Sequence, residues 1–196
     1  MSVTNTQTNT QAAIVQIKRD TLVAGDIIAT RSPTLNSAGV RVATGARVSH
    51  AILYTGMKYA VDAMPKDGVT KDLLYRKLSQ TSYAAVFRHR TATAEQCAVA
   101  CAWAELQALR HKPYDYKSGA RVGIVPYTTL GKLIIIADEV DANLSPEGED
   151  ASFMCSELVF RAFEIAGVPL TRKPAYCMSP GSLFHTDRLA CLGQLA

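Results

Sequence analysis

The first half of the chain alternates short apolar runs with turns, and the second half changes to a helical period. Ile27-Ile28-Ala29-Thr30 follows the Ala24-Gly25-Asp26 turn and predicts a short buried strand. His50-Ala51-Ile52-Leu53-Tyr54-Thr55 predicts a second strand. The tight Gly56-Met57 connection folds Tyr59-Ala60-Val61-Asp62-Ala63 back as its hairpin partner. Pro65 to Gly68 breaks the pattern, Asp72 to Leu78 predicts a short helix, and Tyr83 to Phe87 another strand. Between Ser32 and Gly45, the residues Pro33, Asn36, Gly39 and Gly45 predict a loop, placed where it would shape a cleft.

Thr93-Ala94-Glu95-Gln96 then opens an Ala-rich helix that runs to about Arg110, with Thr93 as N-cap and Pro113 just past the end. Pro113 to Tyr116 and Ser118-Gly119 read as loop, 127–140 as helix on its length, and Pro146 to Asp150 as an acidic loop. A second clear helix runs from about Cys155 to Ala166. Its Leu158, Val159, Ala162, Phe163 and Ala166 form one broad apolar face, and Gly167 is placed as its cap. Strands followed by two marked helices predict an α+β fold, a small antiparallel sheet packed against helices. Met1 to Gln11 is rich in Thr, Asn and Gln and predicts a flexible tail over residues 1–12, leaving 13–196 as one domain.

Composition narrows the classes. A chain of 196 residues with 48% hydrophobic and 19% charged residues is neither disordered nor fibrous. The net charge of +4 is spread without a run of five Lys or Arg, so no nucleic-acid partner is expected. The five cysteines include no CxxC pair, which argues against a zinc knuckle and suggests synthesis in a reducing compartment. The N-terminus lacks a basic segment followed by an apolar one, so no secretory signal peptide is expected and the protein would be made in the cytoplasm. The apolar run Leu133 to Ala137 is far too short for a transmembrane segment.

Cys155 carries the sharpest chemical signal. It stands in the first turn of a predicted helix, where the macrodipole and unpaired N–H groups favour a thiolate. Those N–H groups, near Cys155 and Ser156, also suit an oxyanion. Position alone does not separate this reading from a buried, inert cysteine. Ser156 reads equally as an N-cap, and Glu157 as a first-turn acid complementing the dipole. His50, opening an apolar strand, is a candidate base on a rigid platform. His89 and His111 lie in Arg- and Lys-containing segments that read as exposed element ends, and His185 competes from a late loop. Asp62, on the strand paired with that of His50, is placed to orient an imidazole; an acid on a solvent face is the plainer alternative. Asp26 and Asp67 are weaker candidates, since both adjoin Gly turns.

These segments together resemble a known family. Ala24-Gly25-Asp26-Ile27-Ile28, Val48-Ser49-His50-Ala51-Ile52-Leu53-Tyr54, Tyr59-Ala60-Val61-Asp62-Ala63 and Met154-Cys155-Ser156-Glu157-Leu158-Val159 are similar to the circularly permuted NlpC/P60 papain-like superfamily, in its YiiX/LRAT-like branch. In that branch the histidine strand precedes the cysteine helix. The resemblance spans about residues 22 to 185 and implies Cys155 as nucleophile, His50 as base and Asp62, where relatives often carry Glu, as the third residue. It marks Gly25-Asp26 as a structural strand entry. It places Tyr114, in Pro113-Tyr114-Asp115, and Ser49 near the substrate. It implies hydrolysis or transfer at an amide or ester through a thioester, with no metal or organic cofactor.

Three functions follow as expectations. The first is an amidase or endopeptidase acting on a peptide or peptidoglycan-like substrate. Without a signal, such an enzyme fits an antibacterial toxin exported by a contact-dependent secretion machine into a neighbour's periplasm, with an immunity protein and a carrier as partners. The second is a thiol acyltransferase or lipid-directed amidase or esterase. The third is a non-catalytic binding module that keeps the fold.

Overall fold

The computed structural model describes residues 15–32, 48–115 and 152–196. The expected N-terminal tail, most of the loop from Ser32 to Gly45, the helix over 127–140 and the acidic loop at Pro146 to Asp150 lie outside the described residues.

The described strands are β1 (Gln16–Ile17), β2 (Ile27–Arg31), β3 (His50–Gly56), β4 (Tyr59–Met64), β5 (Gly68–Leu73), β6 (Tyr83–His89) and β7 (Leu189–Leu195). They form one seven-stranded sheet in the order β1-β7-β6-β2-β3-β4-β5. All neighbours are antiparallel except β1 and β7, which run parallel. The described α-helices are α1 (Leu74–Lys77), α2 (Ala94–Leu109) and α3 (Cys155–Ile165). The class is α+β as the sequence predicts, but the sheet is wider than expected, because β1, β5 and β7 join it. The helix expected over Asp72 to Leu78 shrinks to α1, since Asp72 and Leu73 are the end of β5.

Both faces of the sheet are covered. Ile27 and Ala29 of β2, Ala51 and Leu53 of β3, Val61 and Ala63 of β4, and Ala85 and Phe87 of β6 pack against α2 and α3. The alternate residues Ile28, Ile52, Tyr54, Ala60, Ala84 and Val86 pack against Leu22, Leu74 of α1, Leu78 and Leu195. Double coverage explains why the central strands read as continuous apolar runs. By strand alternation His50 shares a side with Ile52, and Asp62 with Ala60, so both belong to the α1 side.

The helix ends follow local chemistry. Thr93 caps α2 by a reciprocal box: Gln96 N–H donates to Thr93 Oγ1 at 3.2 Å and Thr93 N–H to Gln96 Oε1 at 3.0 Å. At α3 the N-cap is Met154, whose N–H donates to Glu157 Oε2 at 3.0 Å. Ser156 is therefore not the cap. It lies inside the first turn, and its hydroxyl donates to the Met178 carbonyl at 2.5 Å. Gly167 closes α3 with φ +73°, a conformation that favours glycine.

Candidate active site

Cys155 is the first residue of α3 and only 4% exposed. Helix geometry leaves the first-turn N–H groups of Cys155 and Ser156 without intrahelical acceptors. The segment leading into this helix is fixed by backbone bonds: Phe153 N–H donates to the Pro113 carbonyl and Asp115 N–H to the Phe153 carbonyl, each at 3.0 Å. Tyr114 is thereby bridged in parallel to Phe153, two residues before the thiol, and packs against the core on the α2 and α3 side.

His50 is the first residue of β3, paired across from Thr30 of β2. The N–H of Ser49 donates to the Thr30 carbonyl at 2.9 Å and extends this pairing by one residue. The hairpin register sets Leu53 opposite Val61, which puts Asp62 across from Ile52 and diagonal to His50. His50 Nε2 lies 2.8 Å from Asp62 Oδ2. The aspartate side chain is long enough for this contact. Burial favours the neutral acid, but the bond from His50, its charge and that of Lys77 hold the Asp62 carboxyl below its usual range. An ionised carboxylate only accepts, so Nε2 carries the proton and donates.

His50 also couples to Cys155. Burial opposes charge on the ring, but the thiolate charge of Cys155 and the hydrogen bonds to Asp62 and Cys155 outweigh it. Together they push the imidazole from 6.5 up to about 10. The His50 side chain keeps 20% of its surface exposed, against 4% for Asp62. The structure thus brings the three residues together: the thiol on a helix from one side of the sheet, the imidazole and carboxylate on the strands beneath.

The other histidines separate. His89 is not an exposed end but the buried last residue of β6, 6% exposed. Its Nδ1 accepts N–H bonds from Thr91 at 3.2 Å and Ala92 at 2.9 Å, and its ring stacks on Phe163 at 5.8 Å. Burial, helped by Arg188, keeps it below its ordinary pKa. His111 is exposed just past α2, and His185 is exposed after the turn at Pro180–Phe184. Asp26 is fully buried and engaged by Arg88, with Nε at 2.7 Å from Oδ1 and a terminal nitrogen at 2.8 Å from Oδ2. It ties β6 to the β2 entry and is structural.

Two residues of the site had no place in the sequence reading. Lys77, at the end of α1, places Nζ 2.5 Å from Asp62 Oδ1, and Thr70 of β5 donates to the same oxygen at 3.3 Å. A hairpin turn at Pro65 to Asp67 pairs Met64 with Gly68 and therefore Asp62 with Thr70. That register was the available signal for Thr70, whereas Lys77 had none.

Among the described residues no group of three or more His, Cys, Asp or Glu converges as a metal site. No described helix is long and apolar enough to cross a membrane.

Comparison with known proteins places this geometry. No family model matches the chain. The probable lipoprotein peptidase YaeF of Escherichia coli (strain K12) is 26% identical over 190 residues, covering 90% of this chain and 68% of that protein. The crystal structure of the metalloprotein yiiX from Escherichia coli O157:H7 superimposes with a TM-score of 0.55 at 18% identity, over 88% of this chain and 96% of that one. At that identity the structural likeness establishes a shared fold. The chain thus shares the yiiX fold and is similar in sequence to a protein named as a probable peptidase.

Proposed function

We propose that this chain is a cysteine hydrolase that cleaves an amide bond through a thioester on Cys155. The observation that carries this reading is His50, held at Nε2 by Asp62 and coupled to Cys155. With Nε2 donating to the carboxylate, Nδ1 is the atom left to exchange a proton with the thiol. The Cys155 thiolate attacks the carbonyl carbon while the first-turn N–H groups of Cys155 and Ser156 donate to the oxyanion. His50 then gives its proton to the departing amine as the C–N bond breaks, leaving the thioester. Water attacks that thioester, His50 takes the water's proton, and the acid leaves as the thiolate is restored.

We further assign the fold to the permuted NlpC/P60 type, supported by the order of His50 before Cys155 along the chain. Tyr114 and Ser49 are proposed as flanks of the substrate groove, since each adjoins one partner of the Cys–His pair. Peptidoglycan peptides are the proposed substrate, delivered by an export machine to a neighbour's periplasm. The relative named as a peptidase supports a peptide bond as target. The residues present do not favour a metal in the reaction. Oδ1 of Asp62 is occupied by Lys77 and Oδ2 by His50, so the carboxylate that holds the imidazole is already committed.

The test is purified muropeptide digestion followed by mass spectrometry, alongside expression of the protein directed to the periplasm. New peptide termini and lysis are expected with the native chain and lost in Cys155→Ala. Lysis that persists in Cys155→Ala refutes the assignment. The near-complete burial of Cys155 supports a second reading, transfer of the acyl group to an acceptor other than water. Reaction in ¹⁸O-labelled water separates the two, because only hydrolysis puts the label in the acid.

A further inference from the structure

Lys77 is placed as if Asp62 were its purpose. Its side chain is 7% exposed beside a carboxylate that is 4% exposed. Its ammonium has three acceptors within reach: Asp62 Oδ1 at 2.5 Å, Thr70 Oγ1 at 3.0 Å and the Thr70 carbonyl at 3.1 Å. An ammonium has three donors, so all are used. A hydroxyl that accepts from Lys77 must send its own proton elsewhere, and Thr70 sends it to Asp62 Oδ1 at 3.3 Å. Oδ1 therefore receives two donors and Oδ2 is left for His50. The carboxylate cannot rotate without breaking three bonds.

We propose that Lys77 is a positioning residue of the hydrolase site, which fixes the Asp62 carboxylate towards His50 and divides its charge between two cations. This rests on the reading of Cys155 and His50 as the reacting pair. From α3 through β3 and β4 to α1 the groups follow in the order thiol, imidazole, carboxylate, ammonium. Lys77 orients the carboxylate and, as a nearby cation, also weakens its hold on the imidazolium proton. His50 then stays protonated enough to activate the thiol, yet releases its proton to the leaving group.

The other charged groups on the neighbouring elements are engaged elsewhere. Asp72, on the Thr70 side of β5, meets Arg76 at 3.3 Å. Lys71 points to the opposite side and meets Glu105 of α2 at 2.8 Å. Thr30, across from His50 on β2, does not titrate. Among the described residues, the groups shown against Asp62 and His50 are thus Lys77, Thr70 and Cys155.

The experiment is the pH profile of Cys155 alkylation by iodoacetamide, read by peptide mass spectrometry, in wild type, K77M, K77R, D62N and D62N/K77M. Wild-type Cys155 is expected to react well above Cys101 at neutral pH. Removing a cation raises the pKa of every group near it, so K77M should move both limbs of the profile upward. The alkaline limb, set by His50, should move more, by about half a pH unit or more. K77R, which keeps the charge, should recover part of the wild-type profile. In the D62N background K77M should shift the profile much less, because the part of its effect that runs through the Asp62 carboxylate is gone and only the direct effect of the lost charge remains. The double variant also avoids an unpaired buried carboxylate, so it decides the matter if K77M alone fails to fold. A K77M profile that superimposes on wild type, or an undiminished shift in the D62N background, overturns the inference. Wild-type Cys155 no more reactive than Cys101 overturns the Cys155–His50 reading itself and the inference with it.

Discussion

Cys101 and Cys155 are both buried, and both stand on helices that pack against the same side of the sheet. Cys101 sits in the middle of α2, where intrahelical bonds consume the neighbouring N–H groups and its Sγ donates weakly to the Tyr54 carbonyl at 3.7 Å. Burial, with the nearby charge of Cys97, pushes its thiol up to about 12. Cys155 is as buried, yet stands at the positive end of its helix and meets a histidine already held by a carboxylate. Burial alone makes a thiol inert. In the reading proposed above, the helix start and the held imidazole are what make the same side chain a nucleophile.

The sharpest way to break this contrast is to exchange the two thiols' fates. Cys155→Ala should abolish amide hydrolysis, a loss of roughly a thousandfold or more, and remove the fast phase of iodoacetamide labelling, leaving the slower reaction of ordinary thiols such as the exposed Cys191. Cys101→Ala should keep activity within about twofold while lowering stability by about 1 kcal/mol in urea unfolding. If both variants kept activity, the contrast would fail.

Asp62→Asn comes next. It preserves the shape of the contact but removes the charge that stabilises the imidazolium, and kcat should drop by roughly two to four orders of magnitude. A drop of less than tenfold would place the orienting charge elsewhere.

The pH dependence gives a smaller, directional effect. His50 has its folded value raised from 6.5 to about 10. Its contribution to stability is therefore complete below about 6.5 and lost as pH rises through about 10. Unfolding midpoints of wild type and His50→Gln should differ most at the acid end of that window and converge at its alkaline end. A gap that stays constant would mean the ring is not held as a cation.

Gly25→Ala tests the α2 side alone. Gly25 has φ +93°, and an added Cβ would lie 2.7 Å from Cys97 Sγ and 2.8 Å from its Cβ. The change should cost about 2 kcal/mol in unfolding free energy while leaving the Cys155 alkylation rate unchanged.

Much of this arrangement was legible because its signals are local. The Thr93 and Gln96 box marks the start of α2, Gly167 marks the end of α3, and Gly56-Met57 folds β4 onto β3. Where the pairing is distant, the sequence is silent. In β7, Leu189 to Leu195 includes Gly193 and the exposed Cys191, and it becomes a strand because β6 and β1 flank it. β5 reads Gly-Val-Thr-Lys-Asp-Leu, too polar for a buried strand, because it lies at an edge of the described sheet. Missing β5 meant missing the register that sets Thr70 beside Asp62, and with it Lys77. His89 misled through its neighbours: Arg88 reads as solvent-facing but is drawn to the buried Asp26, while the histidine itself turns to Phe163.

The spacing of the site along the chain has a consequence for assembly. His50, Asp62, Thr70 and Lys77 all belong to consecutive, mutually paired elements, from β3 to α1. Cys155 arrives from a helix far along the sequence. Loop-closure entropy favours the nearby pairings first, so the imidazole half would form as a meander before the nucleophile docks. Until α3 seats, the cysteine is an ordinary thiol on an unanchored segment and the histidine has no partner to activate. A nascent or partly unfolded chain would therefore be chemically quiet. During refolding, the onset of rapid Cys155 alkylation would mark the moment at which the last helix locks in.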